Sequence, residues 1–290
     1  MPDVLLVVNP RASAVTDERA ERVAAALGED VAVVRTERQG HATELVRDAD
    51  AGAVVVFGGD GAFNEALNGL RAEVPLGLVP GGGSSVLPRA LGLPAEPERA
   101  AREVADALGA GRTRTISLGR VNGRRFGFAA ALGFPAELVR RVDGLRDGPR
   151  PPDRVFLTTA IRLLAERRGR MEPQLEVEGH GRAAFALVAN GDPYTYLGRL
   201  PVRATPLAGW AEGLDLAAPR SVGPLAIPRL TFAALTGRTP RARGVLYLHD
   251  LDEVRLAADR PLPLQADGED LGDVERAEFS SEREAAKILL

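Results

Sequence analysis

The sequence predicts an α/β protein with two domains. Over about the first 115 residues, short valine-rich runs that are apolar on both faces alternate with segments of helical period. That alternation is typical of buried parallel strands joined by helices. From about residue 116 the runs are short, β-like and broken by Gly and Pro, which favours antiparallel sheet. We therefore expect a parallel-sheet domain at 1–116 and a β-rich, mostly antiparallel domain at 117–279. The tail 280–290 is expected to pack back on the first domain.

The elements of the first domain follow in order along the chain. The predicted strands are Val4–Val8, Val31–Val34, Ala53–Phe57 and Leu76–Val79. Thr16 is a candidate N-cap for a first helix, and Gly40 precedes a second. A third helix begins after the third strand, and a fourth covers about Glu98 to Leu108. This order predicts right-handed βαβ units with helices on both faces of the sheet.

The second domain is predicted to be mainly strands. The β-like runs are Arg124–Phe128, Leu175–Val177, Ala183–Val188, Leu214–Ala217, Gly244–Leu248 and Glu253–Leu256. One helix, roughly Val155 to Arg168, is expected to interrupt them.

The composition excludes several chemistries. The chain of 290 residues has no cysteine, so thiolate nucleophiles, disulfides and Cys-ligated metals are excluded. The 37 basic residues include a single lysine, Lys287. A Walker-A lysine or a Schiff-base lysine would need a lysine elsewhere, so any phosphate site must rely on backbone N–H groups, arginine and metal. The formal net charge of −3 indicates no nucleic-acid partner.

Two glycine-rich turns follow neighbouring predicted strands. The first, Gly58-Gly59-Asp60-Gly61, leads into a helix whose free N–H groups would favour an anion. Asp60 would repel a bare phosphate, which suggests a bridging Mg²⁺ or a water network. Alone, this turn could simply cap a helix. The second, Pro80-Gly81-Gly82-Gly83-Ser84-Ser85, also joins a strand to a short helix. Because adjacent parallel strands end at one crevice, the pair predicts a phosphate site.

The motifs resemble the diacylglycerol kinase catalytic superfamily, and more narrowly bacterial soluble lipid kinases related to sphingosine and ceramide kinases. The resemblance runs in order over nearly the whole chain. It is carried by Asn9-Pro10, Gly58-Gly59-Asp60-Gly61 with Asn64-Glu65, Pro80-Gly81-Gly82, Arg89-Ala90-Leu91-Gly92, Asn190, Tyr194-Thr195-Tyr196-Leu197-Gly198, Gly213-Leu214-Asp215, Leu264-Gln265 and Asp267-Gly268-Glu269. It implies an ATP- and Mg²⁺-dependent kinase that transfers the γ-phosphoryl group to a lipid hydroxyl, typically of diacylglycerol.

The resemblance also implies roles for individual residues. The nucleotide and its metal would be bound by Asn9, Pro10, Arg11, Ser13, Thr36, Gly58, Gly59, Asp60, Gly61, Ala62, Asn64, Glu65, Gly82, Gly83 and Ser84. Asp60 would organise Mg²⁺, while Glu269, with Asp267 beside it, would take the proton of the acceptor hydroxyl. A structural metal would lie near Gly209, Glu212 and Leu214.

The residues themselves give a reason for the acidic pair. In an extended segment, Asp267 and Glu269 would project to one face, where one could serve the metal and the other accept a proton. The alternative is a Gly-containing β-turn with two solvated acids.

Departures from the family pattern keep two other functions open. Ala62 and Gly83 stand where threonine is usual, Ser85 where asparagine is usual, and Pro135 where aspartate is common. They favour a catalytically impaired nucleotide- or lipid-binding member, while the Gly-Gly-Asp-Gly turn also fits a soluble NAD kinase-like enzyme. We expect a lipid partner and a cytoplasmic protein. Transient contact with the inner membrane face and a homodimer stay open.

Overall fold

The computed structural model describes residues 3–83, 85–145 and 153–290, and these divide into two compact units. Unit 1 comprises residues 3–117 and 284–290, and unit 2 comprises residues 118–145 and 153–283. Strands β5 (Thr113–Val121) and β16 (Glu269–Leu289) contribute residues to both units. Each unit is described below by itself.

Unit 1 is a parallel sheet flanked by helices. The strands pair in the order β16-β4-β3-β1-β2, and all pairs are parallel, with Ile288 of β16 beside Leu76 of β4. The last residues of the chain are thus a strand of this sheet, and β16 also pairs with β5. Its elements are β1 (Val4–Val8), α1 (Asp17–Leu27), β2 (Val31–Arg35), α2 (His41–Arg47), β3 (Ala53–Gly58), α3 (Asp60–Gly69), β4 (Leu76–Pro80), α4 (Val86–Ala90) and α5 (Pro97–Gly109).

Helices lie on both faces of the unit 1 sheet. Leu6 of β1 shares a core with Val23 of α1 and Val104 of α5. Leu5 projects to the opposite face, where Leu45 of α2 lines the same groove. The Thr16 side chain accepts a hydrogen bond from the Arg19 N–H at 3.2 Å and so caps α1. The parallel sheet, its helices and this cap were all predicted from the sequence.

Unit 2 is built on antiparallel strands. They pair in the order β14-β13-β10-β7-β15-β16, with β6 on β5, β8 and β9 as a hairpin on β15, and β11 and β12 as a separate hairpin. Its elements are β6 (Arg124–Phe126), β7 (Ala129–Leu132), α6 (Phe134–Asp143), α7 (Asp153–Glu166), β8 (Leu175–Val177), β9 (Gly181–Ala183), β10 (Ala186–Ala189), β11 (Thr195–Leu197), β12 (Leu200–Val202), β13 (Leu214–Pro219), α8 (Ala226–Thr236), a 3₁₀ turn (Thr239–Arg241), β14 (Val245–Leu251) and β15 (Glu253–Ala266).

The fold class predicted from the sequence is confirmed, but unit 2 differs from the prediction in its helices. One helix was expected there, and α6 and α8 are additional. Pro135 and Pro228 obscured them, because proline in a short apolar run favours loop or edge strand when the sequence is read alone. Pro135 is tolerated because it lies in the first turn of α6, where no intrahelical donor is lost. In the part of the chain that the structure describes, no helix is long and apolar enough to cross a membrane.

Candidate active site

Three loops of unit 1 meet at the carboxyl ends of β1, β3 and β4. The Asn9 N–H donates to the Phe57 carbonyl oxygen at 2.9 Å, which joins the loop after β1 to β3. The Gly81 N–H donates to the Gly58 carbonyl oxygen at 2.6 Å, and the Ala14 N–H donates to the Gly81 carbonyl oxygen at 2.9 Å. The two glycine-rich turns are therefore adjacent, as the order of the strands predicts.

The two turns touch backbone to backbone. A Cβ on Gly82 would lie 2.8 Å from the Cα of Gly59, and a Cβ on Gly58 would lie 2.8 Å from the Cβ of Ala62. Carbon atoms approach to about 3.5–4.0 Å in ordinary contact, so neither position has room for a side chain. A Cβ on Gly83 would have no atom within 4 Å. The lack of side chains at Gly58 and Gly82 is therefore required, whereas at Gly83 it leaves open space.

Asp60 is the first residue of α3 and is buried. The partial positive charge of a helix N-terminus stabilises a carboxylate there. The Leu87 N–H, from α4 after the second turn, lies 3.4 Å from Asp60 Oδ1. Mg²⁺ in nucleotide sites is commonly held by one or two carboxylates together with substrate phosphates. A single buried carboxylate beside two glycine turns fits that donor set.

The loops after β1 and β2 are neighbours at the same edge of the sheet. The Thr36 N–H donates to the Val8 carbonyl oxygen at 2.9 Å. The Arg11 guanidinium donates to the Glu37 carbonyl oxygen at 3.2 Å, and the Arg11 N–H donates to Asn9 Oδ1 at 3.0 Å. Asn9, Arg11 and Thr36 are thus brought together. Ser13 is exposed farther along the first loop, and Ser84 lies outside the described residues.

Glu65 links α3 to the N-terminus of α2. Its buried carboxylate accepts hydrogen bonds from the Gly40 N–H at 2.8 Å and the Ala42 N–H at 3.1 Å, at the N-terminus of α2. The Thr43 hydroxyl donates to the Glu65 carbonyl oxygen at 2.8 Å. The two carboxylate oxygens thus stabilise one helix end, and a nucleotide contact by this side chain stays a prediction.

Neighbouring positions of α3 also face inward. Ala62 and Asn64 are buried, and the Asn68 amide donates to the Asn64 carbonyl oxygen at 2.8 Å. Gly61, which precedes them, is half-buried. The groups near the start of α3 that could contact a ligand are therefore the backbone of the turn and the Asp60 carboxylate.

In unit 2, Asp267 and Gly268 form the two-residue turn between β15 and β16. Ala266 pairs with Glu269 across the hairpin, and both turn residues have positive φ, 49° at Asp267 and 84° at Gly268. Asp-Gly is a preferred sequence for such a turn. The expectation of an extended segment with both acids on one face is therefore wrong. A turn was the alternative, but Asp267 is buried and not solvated.

The Asp267 carboxylate holds the chain between β6 and β7. It accepts hydrogen bonds from the backbone N–H groups of Gly127 at 2.6 Å, Phe128 at 2.9 Å and Ala129 at 3.1 Å. The Asp267 N–H donates to the Ala129 carbonyl oxygen at 2.8 Å. These bonds make Asp267 a positioning residue that fixes the hairpin turn next to Glu269.

Glu269 follows the turn and is paired with an arginine. Its carboxylate lies 2.5 Å from the Arg124 guanidinium, and both side chains are partly buried. Sequence reasoning missed Arg124, because it is 145 positions away along the chain and carries no local signal. The pair orients Glu269 through a charge-assisted hydrogen bond.

The predicted structural metal site lies near a buried carboxylate network. The Glu212 N–H donates to the Gly209 carbonyl oxygen at 3.0 Å, and Leu214 begins β13 two residues later. The fully buried Asp215 accepts hydrogen bonds from the Tyr247 hydroxyl at 2.5 Å and from His249 Nδ1 at 2.7 Å.

The hydrogen bond from His249 to Asp215 raises the pKa of His249, whose ring lies 3.9 Å from the Glu212 carboxylate. The described residues contain no group of three or more His, Cys, Asp or Glu side chains arranged to hold a metal. A metal at this position stays a prediction.

Comparison with known proteins relates the chain to lipid kinases. Residues 3–121 match the model of the diacylglycerol kinase catalytic domain. The chain is 40% identical over 100 residues to a diacylglycerol kinase of Mycobacterium tuberculosis (strain CDC 1551 / Oshkosh), covering 32% of this chain and 31% of that protein. It is 32% identical over 103 residues to sphingoid long-chain bases kinase 1 of Arabidopsis thaliana, covering 30% of this chain and 14% of that protein.

A solved structure shares the fold over nearly the full length. The crystal structure of a diacylglycerol kinase from Bacillus anthracis str. Sterne superimposes with a TM-score of 0.70 at 18% identity, covering 99% of this chain and 96% of that chain. The matched segments span about half or less of the length of the curated relatives. The resemblance predicted from the motifs is confirmed.

Proposed function

We propose that the protein transfers the γ-phosphoryl group of ATP to the hydroxyl of diacylglycerol or a related lipid alcohol, because residues 3–121 match the model of the diacylglycerol kinase catalytic domain. The observation that carries the proposal is the contact between the turns at Gly59 and Gly82. Two strand-to-helix turns without side chains at their contact give a triphosphate direct access to main-chain N–H groups. Phosphate recognition by such groups needs no lysine.

Unit 1 binds the nucleotide in this proposal. Asn9, Arg11 and Thr36 lie at the same sheet edge as the glycine turns, and Arg11 contributes a permanent positive charge. Asp60 is the residue that would hold Mg²⁺. When bound, Mg²⁺ neutralises charge on the phosphate oxygens as the phosphoryl group is transferred.

Glu269 accepts the proton of the lipid hydroxyl. The hydroxyl oxygen forms the new bond to the γ-phosphorus, and the bond from that phosphorus to ADP breaks as ADP leaves. Arg124 orients this carboxylate, and Asp267 fixes the turn that precedes it. General-base assistance of this kind contributes about 10²–10⁴ in rate. The ion pair with Arg124 holds the Glu269 carboxylate in place, and positioning is the larger part of catalysis in phosphoryl transfer.

The test measures transfer of radiolabel from γ-labelled ATP to diacylglycerol in mixed micelles. Glu269→Gln removes the proton acceptor, and we expect the rate to fall at least about a hundredfold while ATP affinity is retained. Glu275→Gln is the matched control, because Glu275 is an exposed acid on the same strand. Equal rates for Glu269→Gln and the wild type would remove Glu269 from the mechanism.

The same purified protein can be tested for the two alternative functions, an impaired nucleotide-binding member and an NAD kinase-like enzyme. The open space at Gly83 favours an impaired member, since a side chain that could touch the nucleotide is missing there. ATP binding without transfer to any lipid of a panel would support that alternative. Formation of NADP from NAD would instead support an NAD kinase-like enzyme.

A further inference from the structure

Two helices of unit 2 expose apolar side chains on their outer faces. On α7, Leu157 is 53% exposed and Ile161 is 57% exposed, one turn apart. Leu225, the N-cap residue of α8, is 93% exposed, and Phe232, two turns later in the helix, is 55% exposed. Residues four or seven positions apart lie on the same face of a helix, so each pair forms one stripe.

These stripes are distinct from the faces that hold the helices to the unit. Ile227 and Leu230 of α8 and Leu164 of α7 pack against a common buried cluster, formed by Met171, Ala184 and Val222. Because both helices cover one cluster, their outer faces lie at the same part of the surface of unit 2. The exposed side chains are therefore additional to those that the fold needs.

The chain around α8 is strongly basic. Residues 220–244 contain five arginines and no acidic residue: Arg220, Arg229, Arg238, Arg241 and Arg243. Among the residues that the structure describes, none of these five forms an ion pair with a carboxylate. Arg229 is exposed and lies on the outer stripe between Leu225 and Phe232. The Arg238 guanidinium lies 5.7 Å from the centre of the Phe232 ring.

We propose that the outer face of α7 and α8, defined by Leu157, Ile161, Leu225, Arg229 and Phe232, docks on the surface of an anionic lipid bilayer. A helix with apolar residues on one side and arginines beside them lies in the membrane interface. The apolar side chains enter the headgroup boundary while the arginines meet lipid phosphates. This proposal rests on the proposed function, because a kinase that phosphorylates a lipid must reach that lipid in a membrane.

The charge on this face selects the bilayer over a second copy of the chain. A two-fold contact would place the same acid-free arginine segment against itself, and like charges that face each other across an interface cost several kcal/mol. An anionic bilayer supplies the opposite charge over the whole face. Each arginine near such a surface favours binding about fivefold.

The test is sedimentation with sucrose-loaded vesicles in the absence of ATP. We expect the wild type to bind vesicles of phosphatidylcholine and phosphatidylglycerol at 3:1 far better than vesicles of phosphatidylcholine alone, and to be released by 0.5 M salt. Arg229→Gln with Arg238→Gln, which removes the arginine on the stripe and the one beside Phe232, lowers the partition coefficient about thirtyfold. Leu225→Ser with Phe232→Ser lowers it about tenfold to a hundredfold.

The matched control is Arg112→Gln with Arg114→Gln, which removes two exposed arginines from unit 1. We expect this control to bind the anionic vesicles like the wild type. Unchanged binding by both outer-face double variants would overturn the proposal. A wild-type dimer in sedimentation equilibrium that these variants dissociate would also overturn it, by assigning the face to a second copy.

A soluble short-chain diacylglycerol separates this inference from the kinase proposal. The outer-face variants are expected to phosphorylate it at the wild-type rate while losing vesicle binding. If neither the wild type nor any variant phosphorylates a lipid, the kinase proposal fails. The vesicle experiment then still decides the membrane proposal, because it measures binding without ATP.

Discussion

Replacing Gly82 by alanine tests the contact between the two glycine turns most sharply. The new Cβ would lie 2.8 Å from the Cα of Gly59, about 0.7 Å inside the 3.5 Å lower limit of carbon contact. Its neighbour is backbone, so the turns themselves must separate. Overpacking of this kind costs about 1–3 kcal/mol. A displacement of somewhat under 1 Å in a phosphate-binding turn is also expected to weaken ATP binding by about tenfold to a hundredfold.

Gly83→Ala is the matched control, one residue along the same turn. Its Cβ would meet no atom within 4 Å, so we expect an unchanged melting temperature. Both variants are compared with the wild type by thermal unfolding and by calorimetric titration with ATP and Mg²⁺. If Gly82→Ala melts like Gly83→Ala and binds ATP like the wild type, the two turns do not meet as described, and the reasoning is refuted.

Three further substitutions test the roles assigned to charged side chains. Asp267→Asn replaces one acceptor oxygen by an NH₂ group, so at least one of three backbone N–H donors loses its acceptor. We expect the free energy of unfolding, measured by urea denaturation, to fall by about 2–3 kcal/mol. Glu65→Gln replaces a carboxylate at the N-terminus of α2 and is expected to cost about 1–2 kcal/mol, without loss of ATP affinity; a selective loss of affinity would support the predicted phosphate role. Hydrogen bonds from Arg140 hold the pKa of Asp270 below its usual range. A lowered carboxyl pKa stabilises the fold above its unfolded-state value near 4 and loses that effect as the pH falls through the folded-state value. Arg140→Gln should therefore lower stability by up to about 1 kcal/mol at pH 7, and the difference should vanish as the pH falls below the folded-state pKa of Asp270; a pH-independent difference would contradict this reasoning.

The parts of the fold that repeat a local pattern could be predicted from the sequence. The strand Ala53–Gly58 and its neighbours in the sheet of unit 1 are apolar on both faces, and that pattern alone indicates a buried parallel sheet. The position of the two glycine turns then follows, because parallel strands that pair side by side end at the same edge. For the same reason Asp60 was predicted at a helix start, where it is found.

The parts that depend on distant partners could not be predicted. Glu65 looked like a phosphate ligand because it follows the glycine turn, yet its carboxylate reaches the N-terminus of a helix more than twenty positions earlier. Arg124 gave no signal as the partner of Glu269, since only the pairing of strands brings them together. The Asp267-Gly268 pair carried a local turn signal that the expectation of an acidic pair on one face overrode.

The proposed activity is tested most directly by one product analysis. The wild type is incubated with γ-labelled ATP and Mg²⁺, in parallel with diacylglycerol in anionic vesicles and with NAD, and the labelled products are separated. The predicted result is labelled phosphatidic acid from the lipid sample and no labelled NADP. Tight ATP binding with label in neither product would contradict the account, and label in NADP alone would replace it with the NAD kinase-like alternative.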